Sequence, residues 1–265
     1  MSTFFRLLFN LLVVVIYLYL LAPLIVVVLF SFSDRSFFSF PPTGFSFQWY
    51  VAAWQSGAFT EPAIRSLVLA VVASLFAAVL AIPACLGLRR YKGRRWAGLL
   101  EFLLISPLVV PALIIGIALL YFFLRLNLID TWIAMLAAHT LLVFPFMFRS
   151  IFVSAVGIQS QYEEASEILG ASPWTTFRNV VFPFLLPGIT SGAIFAFIIS
   201  FDQFTVSLFI SQVDQITLPV ALYRYLYDVN DPVAAAVSSA LVGFGLILAI
   251  ALQRLGLLRH VGGQA

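Results

Sequence analysis

The sequence predicts an all-α fold, a polytopic membrane helix bundle with six transmembrane helices and a pair of short helices on one face. Of the 265 residues, 63% are hydrophobic and 9% are charged, and the mean hydropathy is +1.09. A soluble domain carries about 25% charged residues, so this chain is too poor in charge to cover a surface that faces water. The 28 phenylalanines also exclude an intrinsically disordered protein.

Six uncharged stretches approach or exceed the length of about 20 mainly apolar residues that a bilayer span requires. They are 7–33, 66–88, 102–124, 131–148, 179–201 and 232–253. The first is longer than the apolar region of a signal peptide, about 7–15 residues, and lacks an Ala-x-Ala-like cleavage site. We therefore expect it to remain as a transmembrane helix.

The distribution of basic residues predicts the orientation, because short cytoplasmic loops carry an excess of Lys and Arg. An even number of spans places both termini on one side. That side holds ten of the fourteen basic residues, namely Arg6, Arg89, Arg90, Lys92, Arg94, Arg95, Arg149, Arg178, Arg254 and Arg259. We therefore expect both termini in the cytoplasm and an outer side that is net acidic.

The inner segment 149–178 is predicted to hold two short helices hinged at a glycine. Ser160 and Glu163 have the spacing of a capping box, and Gly170 is a left-handed C-terminal stop. Apolar residues recur between them at helical spacing. They are Ala165, Ile168 and Leu169. Ser172, followed by Pro173, predicts the start of the second helix.

The polar face of the first short helix is acidic, with Glu163, Glu164 and Glu167 and no basic residue. A helix that lies on lipid headgroups usually carries a face rich in Lys and Arg. The composition therefore favours a protein partner with a groove for this helix over a lipid surface.

Residues 164–183 carry a family resemblance. Glu164-Ala165-Ser166, then Gly170 after three residues and Val180-Val181-Phe182-Pro183 after nine more, resembles the EAA signature of the membrane subunits of ABC importers. Ser166 replaces the second alanine, Val180 an isoleucine and Phe182 a leucine. The likeness to type I permeases extends over about 62–255, with the first span as the family's extra helix. Stretches 200–207, 217–219 and 231–235 resemble the spermidine/putrescine branch.

The resemblance implies a multi-pass permease subunit of the bacterial inner membrane. It implies a peripheral helix at 1–33 and a five-helix core domain at 62–258, with a coupling loop at 149–178. Its partners would be a dimer of ABC ATPase subunits, a second, non-identical permease, a periplasmic substrate-binding protein, a small cationic substrate and membrane lipid, with no nucleic acid. The ATPase-coupling residues would be Tyr162, Glu163, Glu164, Ala165, Ser166, Ile168, Leu169, Gly170 and Ala171.

The chain lacks the motif of an ATPase or of an intramembrane enzyme. A Walker A loop requires a lysine followed by Ser or Thr, whereas the single lysine, Lys92, precedes Gly93. His139, Ser200 and Asp202 lie in or near spans, yet no hydrolase or zinc-protease motif surrounds them. We therefore expect no catalytic residue, metal site or cofactor, and ATP hydrolysis by a separate subunit.

Prolines and glycines indicate which spans line a pathway. They are Pro107, Pro111 and Gly116 in the third span and Pro183, Pro187 and Gly188 around the fifth. Proline frees backbone carbonyls, which lipid does not satisfy, and a kinked structural helix is the alternative. Small residues of the fifth span, Gly192, Ala193 and Ala196, are expected at an interface with a second permease chain.

Asp202 is the predicted pathway residue for a cationic substrate. Phe195, Phe201, Phe204 and Tyr223 are expected around it, the last three offering cation–π faces. The alternative is a C-terminal helix turn at the outer interface, with the Asp202 carboxylate either solvated or salt-bridged to Arg224. For the substrate, polyamines are favoured, while an opine, an amino-acid-like amine, an aminophosphonate or a passive channel role stays open.

Overall fold

The structure, a computed structural model, describes residues 3–37, 44–91, 93–229 and 231–254. Within these ranges it is helical, which confirms the predicted fold class. The helices are α1 Thr3–Ser31, α2 Gln48–Ser56, α3 Thr60–Arg90, α4 Arg95–Ile105, α5 Ala112–Arg125, α6 Trp132–Val156, α7 Ser160–Ile168, α8 Pro173–Thr176, α9 Phe182–Phe201, α10 Thr205–Ile210, α11 Leu218–Asp228 and α12 Val233–Arg254. Lys92, Arg259 and the predicted core boundary at 255–258 lie outside the described residues.

Five helical segments are long and apolar enough to cross a membrane, and a bent pair makes a sixth. The five are Phe5–Ser31, Thr60–Arg90, Trp132–Val156, Pro173–Phe201 and Val233–Ala251. The predicted third span is broken, because α4 and α5 meet at an angle of 94°. Pro107 and Pro111 lie at this break, where each removes a backbone N–H that a continuous helix would use.

Contacts divide the chain into two compact units. Of the described residues, one unit comprises those up to 61 together with those between 221 and 251, and the other comprises those between 62 and 220 together with 252–254. In the first unit, α1 is exposed along most of its length, as an apolar helix surrounded by lipid would be. The Tyr50 hydroxyl lies 2.7 Å from Ser31 Oγ and donates to Ser239 Oγ at 3.1 Å. The predicted division into 1–33 and 62–258 stays a prediction.

The core of the second unit is built on small residues that recur every fourth position along α3. Ala73, Ala77, Ala81 and Cys85 are fully buried against α6 and α9. Residues four apart share one helix face, and small side chains allow neighbouring helices to approach closely. The Cys85 thiol donates to the Phe148 carbonyl at 3.3 Å, so this side chain is a packed part of the core.

Helices α6 and α9 form the most extensive helix contact of this unit. A Cβ on Gly188 would lie 2.6 Å from the Ser150 carbonyl oxygen, and one on Gly192 would lie 2.8 Å from Met147 Sδ. Ala196 is fully buried in the same core, and Ala193 packs against it. The predicted close helix contact is thus present, but Gly192 and Ala196 make it inside the chain rather than with a second permease, whereas for Ala193 the predicted interface stays a prediction.

The segment 202–231, between the fifth and sixth predicted spans, contains a short helix that packs against the bundle. Helix α10 contacts α5 and α6, and Val206, Ser207 and Ile210 on it are buried. A Cβ on Gly116 of α5 would lie 2.6 Å from the Phe209 ring. Gly116, which the sequence singled out as a mark of a span lining the pathway, is therefore the position where α10 packs closely against α5.

Asp130 holds the loop that follows α10. Its carboxylate accepts four backbone N–H groups at 2.8–3.1 Å, those of Gln212, Val213, Asp214 and Gln215. Burial by itself raises the pKa of Asp130, yet these donors outweigh it and lower the pKa below the ordinary value, because they stabilise the charged form. The loop is therefore ordered by one charged side chain.

Candidate coupling and translocation sites

Helix α7 begins at Ser160, but the predicted capping box is wrong. Its N-cap residue is Gln159, and no side-chain hydrogen bond caps it. Glu163 instead forms a salt bridge with Arg89, near the end of α3. Arg89 is a residue that sequence reasoning missed, since nothing local connects it to α7.

Gly170 adopts a left-handed conformation with φ of +80°, as predicted. Its N–H donates to the Glu167 carbonyl at 2.9 Å, and the N–H of Ala171 donates to the Ser166 carbonyl at 3.1 Å. These bonds satisfy carbonyls at the end of α7. Nothing lies within 4 Å of a Cβ built at Gly170, so the backbone conformation alone favours glycine here.

The second short helix is the beginning of the fifth span. Ser172 accepts the Thr175 N–H at 3.2 Å and Pro173 opens α8, as predicted. A π-helical turn over 177–181 then joins α8 to α9, so the helical span runs from Pro173 to Phe201. Gly170 therefore lies three residues before the start of a helical segment long enough to cross a membrane.

Ser166, the residue that departs from the family motif, connects the two arms of the hinge. Its hydroxyl lies 2.9 Å from that of Thr176, which is buried. An alanine here lacks this hydrogen bond. Thr176 is another residue that carries no signal in the sequence, because only the fold brings it opposite α7.

The predicted coupling residues divide into exposed and half-buried sets. The exposed set is Tyr162, Glu164, Ala165, Ile168, Leu169 and Gly170, and the half-buried set is Glu163, Ser166 and Ala171. Ile168 and Leu169 are 86% and 87% exposed. Trp174, 68% exposed, adds an aromatic side chain beyond the hinge that sequence reasoning missed. Large apolar side chains presented this openly mark an interaction surface.

A cavity of about 450 Å³ lies among α6, α9 and the break that follows α4. Of the predicted pathway residues, Phe195 lines it. Arg149 is the one charged residue among those described along its wall, where Ser150, Ser154 and Ser191 add hydroxyl groups. Sequence reasoning counted Arg149 only as a topology marker. The cavity is therefore mainly apolar with one cation.

The other predicted pathway residues are not among those that line that cavity. Helix α9 ends at Phe201, and Asp202 is exposed at its C-cap, with its N–H donating to the Ile198 carbonyl at 3.1 Å. Phe201 and Phe204 are half-buried, and Tyr223 is exposed on α11. The pathway role of these residues stays a prediction.

His139 is fully buried in α6 and bridges two hydroxyl groups. Its Nδ1 lies 2.8 Å from Ser200 Oγ and its Nε2 lies 2.9 Å from Ser207 Oγ. Ser200 is on α9 and Ser207 on α10, so the imidazole joins three helices. Such a site has no room for a substrate, and its arrangement is that of a satisfied polar group inside a core. The described residues contain no cluster suited to a metal ion.

The fold and the element at Gly170 define a class of protein, a multi-pass helical membrane protein with a short exposed helix between two of its spans. Comparison with solved structures agrees with this class. The chain matches a bacterial ABC transporter involved in import of the acidic polysaccharide alginate with a TM-score of 0.72, over 96% of this chain and 97% of that one, at 16% identity. Such a likeness establishes a shared fold.

The comparisons of sequence identify the family. The model for the binding-protein-dependent transport system inner membrane component matches residues 70–256, and the chain belongs to this family. It is 31% identical to the spermidine/putrescine transport system permease protein PotC of Haemophilus influenzae, over 96% of this chain and 97% of that protein. It is 30% identical to the putative 2-aminoethylphosphonate transport system permease protein PhnV of Salmonella typhi, over 88% of each. The chain is thus an ABC importer permease of the inner membrane.

Proposed function

We propose that this permease forms half of a translocation pathway for polyamines, beside a second, non-identical permease. It is driven by two cytoplasmic ATPase subunits and supplied by a periplasmic binding protein. The observation that most directly supports this proposal is the hinge element, in which an exposed apolar surface at Ile168 and Leu169 precedes the left-handed Gly170. That hinge continues into the span 173–201, so a push on α7 would move a helix that crosses the membrane.

The coupling role is tested at Gly170 and Glu164. Gly170→Val strains the left-handed backbone by about 1–2 kcal/mol, and Glu164→Lys reverses an exposed charge. We expect Gly170→Val to reduce uptake with normal membrane insertion, and Glu164→Lys to reduce the ATPase that copurifies. Gly170→Asn is the matched control, since asparagine tolerates this conformation. A Gly170→Val, Glu164→Lys double variant with wild-type uptake and wild-type ATPase content would overturn the proposal.

The proposed orientation places both termini in the cytoplasm. In a chain with Cys85 replaced, a cysteine at Gly93 should react only with reagents that cross the membrane, because the basic loop 89–95 is predicted to be internal. A cysteine at Gly57 is the matched control. Both glycines have positive φ and open space around them, but Gly57 is predicted to be external. Labelling of Gly93→Cys by an impermeant reagent in intact cells would reverse the orientation.

Polyamine import is supported by the PotC relatives and by the exposed carboxylate of Asp202 at the predicted outer end of α9. Asp202→Asn keeps the shape and removes the charge. We expect uptake of putrescine to fall several-fold while ATPase activity and assembly persist. Asp214→Asn, the same change on an exposed loop of the predicted outer side, should leave uptake unchanged. If Asp202→Asn and Asp214→Asn show the same kinetics of putrescine uptake, Asp202 is not a pathway residue.

A second candidate substrate is favoured by Arg149. A cation on the wall of an apolar cavity attracts an anionic group and repels a polyamine, so it suits a zwitterion of the aminophosphonate class. The PhnV relative bears a name of that class. Arg149→Gln should abolish uptake of 2-aminoethylphosphonate if this candidate is right, and should spare or raise uptake of putrescine if polyamines are carried. Uptake without any co-expressed ATPase would instead indicate a passive channel.

A further inference from the structure

Arg89 and Glu163 form a partly buried ion pair between the end of a transmembrane helix and the coupling helix. Arg89 is the penultimate residue of α3, and Glu163 lies in the first turn of α7. Their side chains are 16% and 26% exposed. Water and salt screen such a pair less than a pair on the open surface, so it is able to hold the two helices together.

The surroundings of the pair make Arg89 dependent on Glu163. Guanidinium Nη1 of Arg89 is buried and has no hydrogen-bond acceptor among the described residues. Loss of Glu163 would leave the charge with still fewer acceptors, which is costly away from water. The pair borders a cavity of about 110 Å³ that Pro173, Thr176 and Phe177 also line. The ion pair therefore lies on the wall of a small cavity whose opposite wall is formed by α8 and the turn that follows it.

We infer that Arg89 is a positioning residue of the transport cycle, which transmits movement of the coupling helix α7 to the transmembrane helix α3 through Glu163. The hinge at Gly170 acts on the span 173–201, and this pair gives α7 a second connection, to a helix whose small-residue face packs against α6 and α9. The inference rests on the proposed coupling role of α7. It assigns Glu163 to this internal link, while Glu164, Ile168 and Leu169 remain on the exposed surface.

The test uses the complete transporter in proteoliposomes and measures the ratio of substrate taken up to ATP hydrolysed. The probe is radiolabelled putrescine, or 2-aminoethylphosphonate if the wild-type complex does not carry putrescine. We expect Arg89→Gln and Glu163→Gln each to lower this ratio at least five-fold while the ATPase still copurifies. A purely structural role would lower the amount of complex, and with it uptake and hydrolysis together, without changing the ratio.

A matched control and a charge exchange complete the design. Arg90→Gln removes the same charge from the exposed neighbour of Arg89 and should keep the wild-type ratio. The exchange of both residues, Arg89→Glu with Glu163→Arg, should restore the ratio to within about two-fold of wild type. Because it keeps an ion pair between the two helices, it still tests the inference if a single variant fails to fold. Wild-type ratios in both single variants, or an exchange no better than either, would overturn the inference. If the coupling role of α7 itself were wrong, Glu164→Lys would retain its ATPase, so the two failures are distinguishable.

Discussion

Replacement of Gly188 by alanine should destabilise the permease, because α6 and α9 meet there without space for a methyl group. The added Cβ would lie 2.6 Å from both the Ser150 carbonyl oxygen and Ser154 Oγ, and 3.0 Å from Ile151 Cα. Two of these three atoms belong to the backbone of α6, so rotation of a side chain does not relieve the contact. Overpacking of this kind costs about 1–3 kcal/mol, and the removal of a helical glycine offsets up to about 1 kcal/mol.

The same substitution at Gly243 is the matched control. Gly243 lies inside α12, and nothing is found within 4 Å of its built Cβ, so Gly243→Ala should be neutral or stabilising. The two variants should differ by about 1–3 kcal/mol, and at about 2–4 °C per kcal/mol the Gly188→Ala protein should melt several degrees below the Gly243→Ala protein in a detergent thermal-shift assay. Equal melting temperatures would refute the close approach of α6 and α9 at this residue.

Three further outcomes follow from individual contacts. The depressed pKa of Asp130 means that its carboxylate stabilises the fold above the unfolded value of 3.8 and that this stabilisation is lost as pH falls below it. Asp130→Asn should therefore lower stability by about 1 kcal/mol at neutral pH, and the difference from wild type should shrink as the pH is lowered below 3.8; a difference independent of pH would contradict this. A double-mutant cycle of Ser166→Ala with Thr176→Val should give a coupling of about 1 kcal/mol, whereas additive effects would show that the two hydroxyls do not interact. Finally, His139→Phe should lower the melting temperature because two helices lose their shared polar partner, whereas Thr140→Val should not, since that buried hydroxyl has no partner among the described residues; the reverse order would disprove the bridging role.

The sequence by itself determined the membrane class, the helical fold and the hinge at Gly170. These features depend on local or additive properties. Low charge and long apolar stretches specify helices in lipid, because every backbone polar group must be satisfied there. The conformation of Gly170 depends on the absence of its own Cβ. The EAA-like motif is a pattern of residues that lie close together in the chain, so it is visible without the structure.

Tertiary structure alone decided which partners these residues have. Glu163 fits a capping box by spacing, yet it bonds to Arg89, 74 residues away in the chain. Gly192 and Ala196 suit any close helix contact, and only the packed bundle assigns them to α6 rather than to another chain. The third span reads as one apolar stretch, yet it bends by 94°. The physical reason is the same in each case, since spacing along a helix specifies which face a residue occupies but carries no information about which helix lies opposite that face.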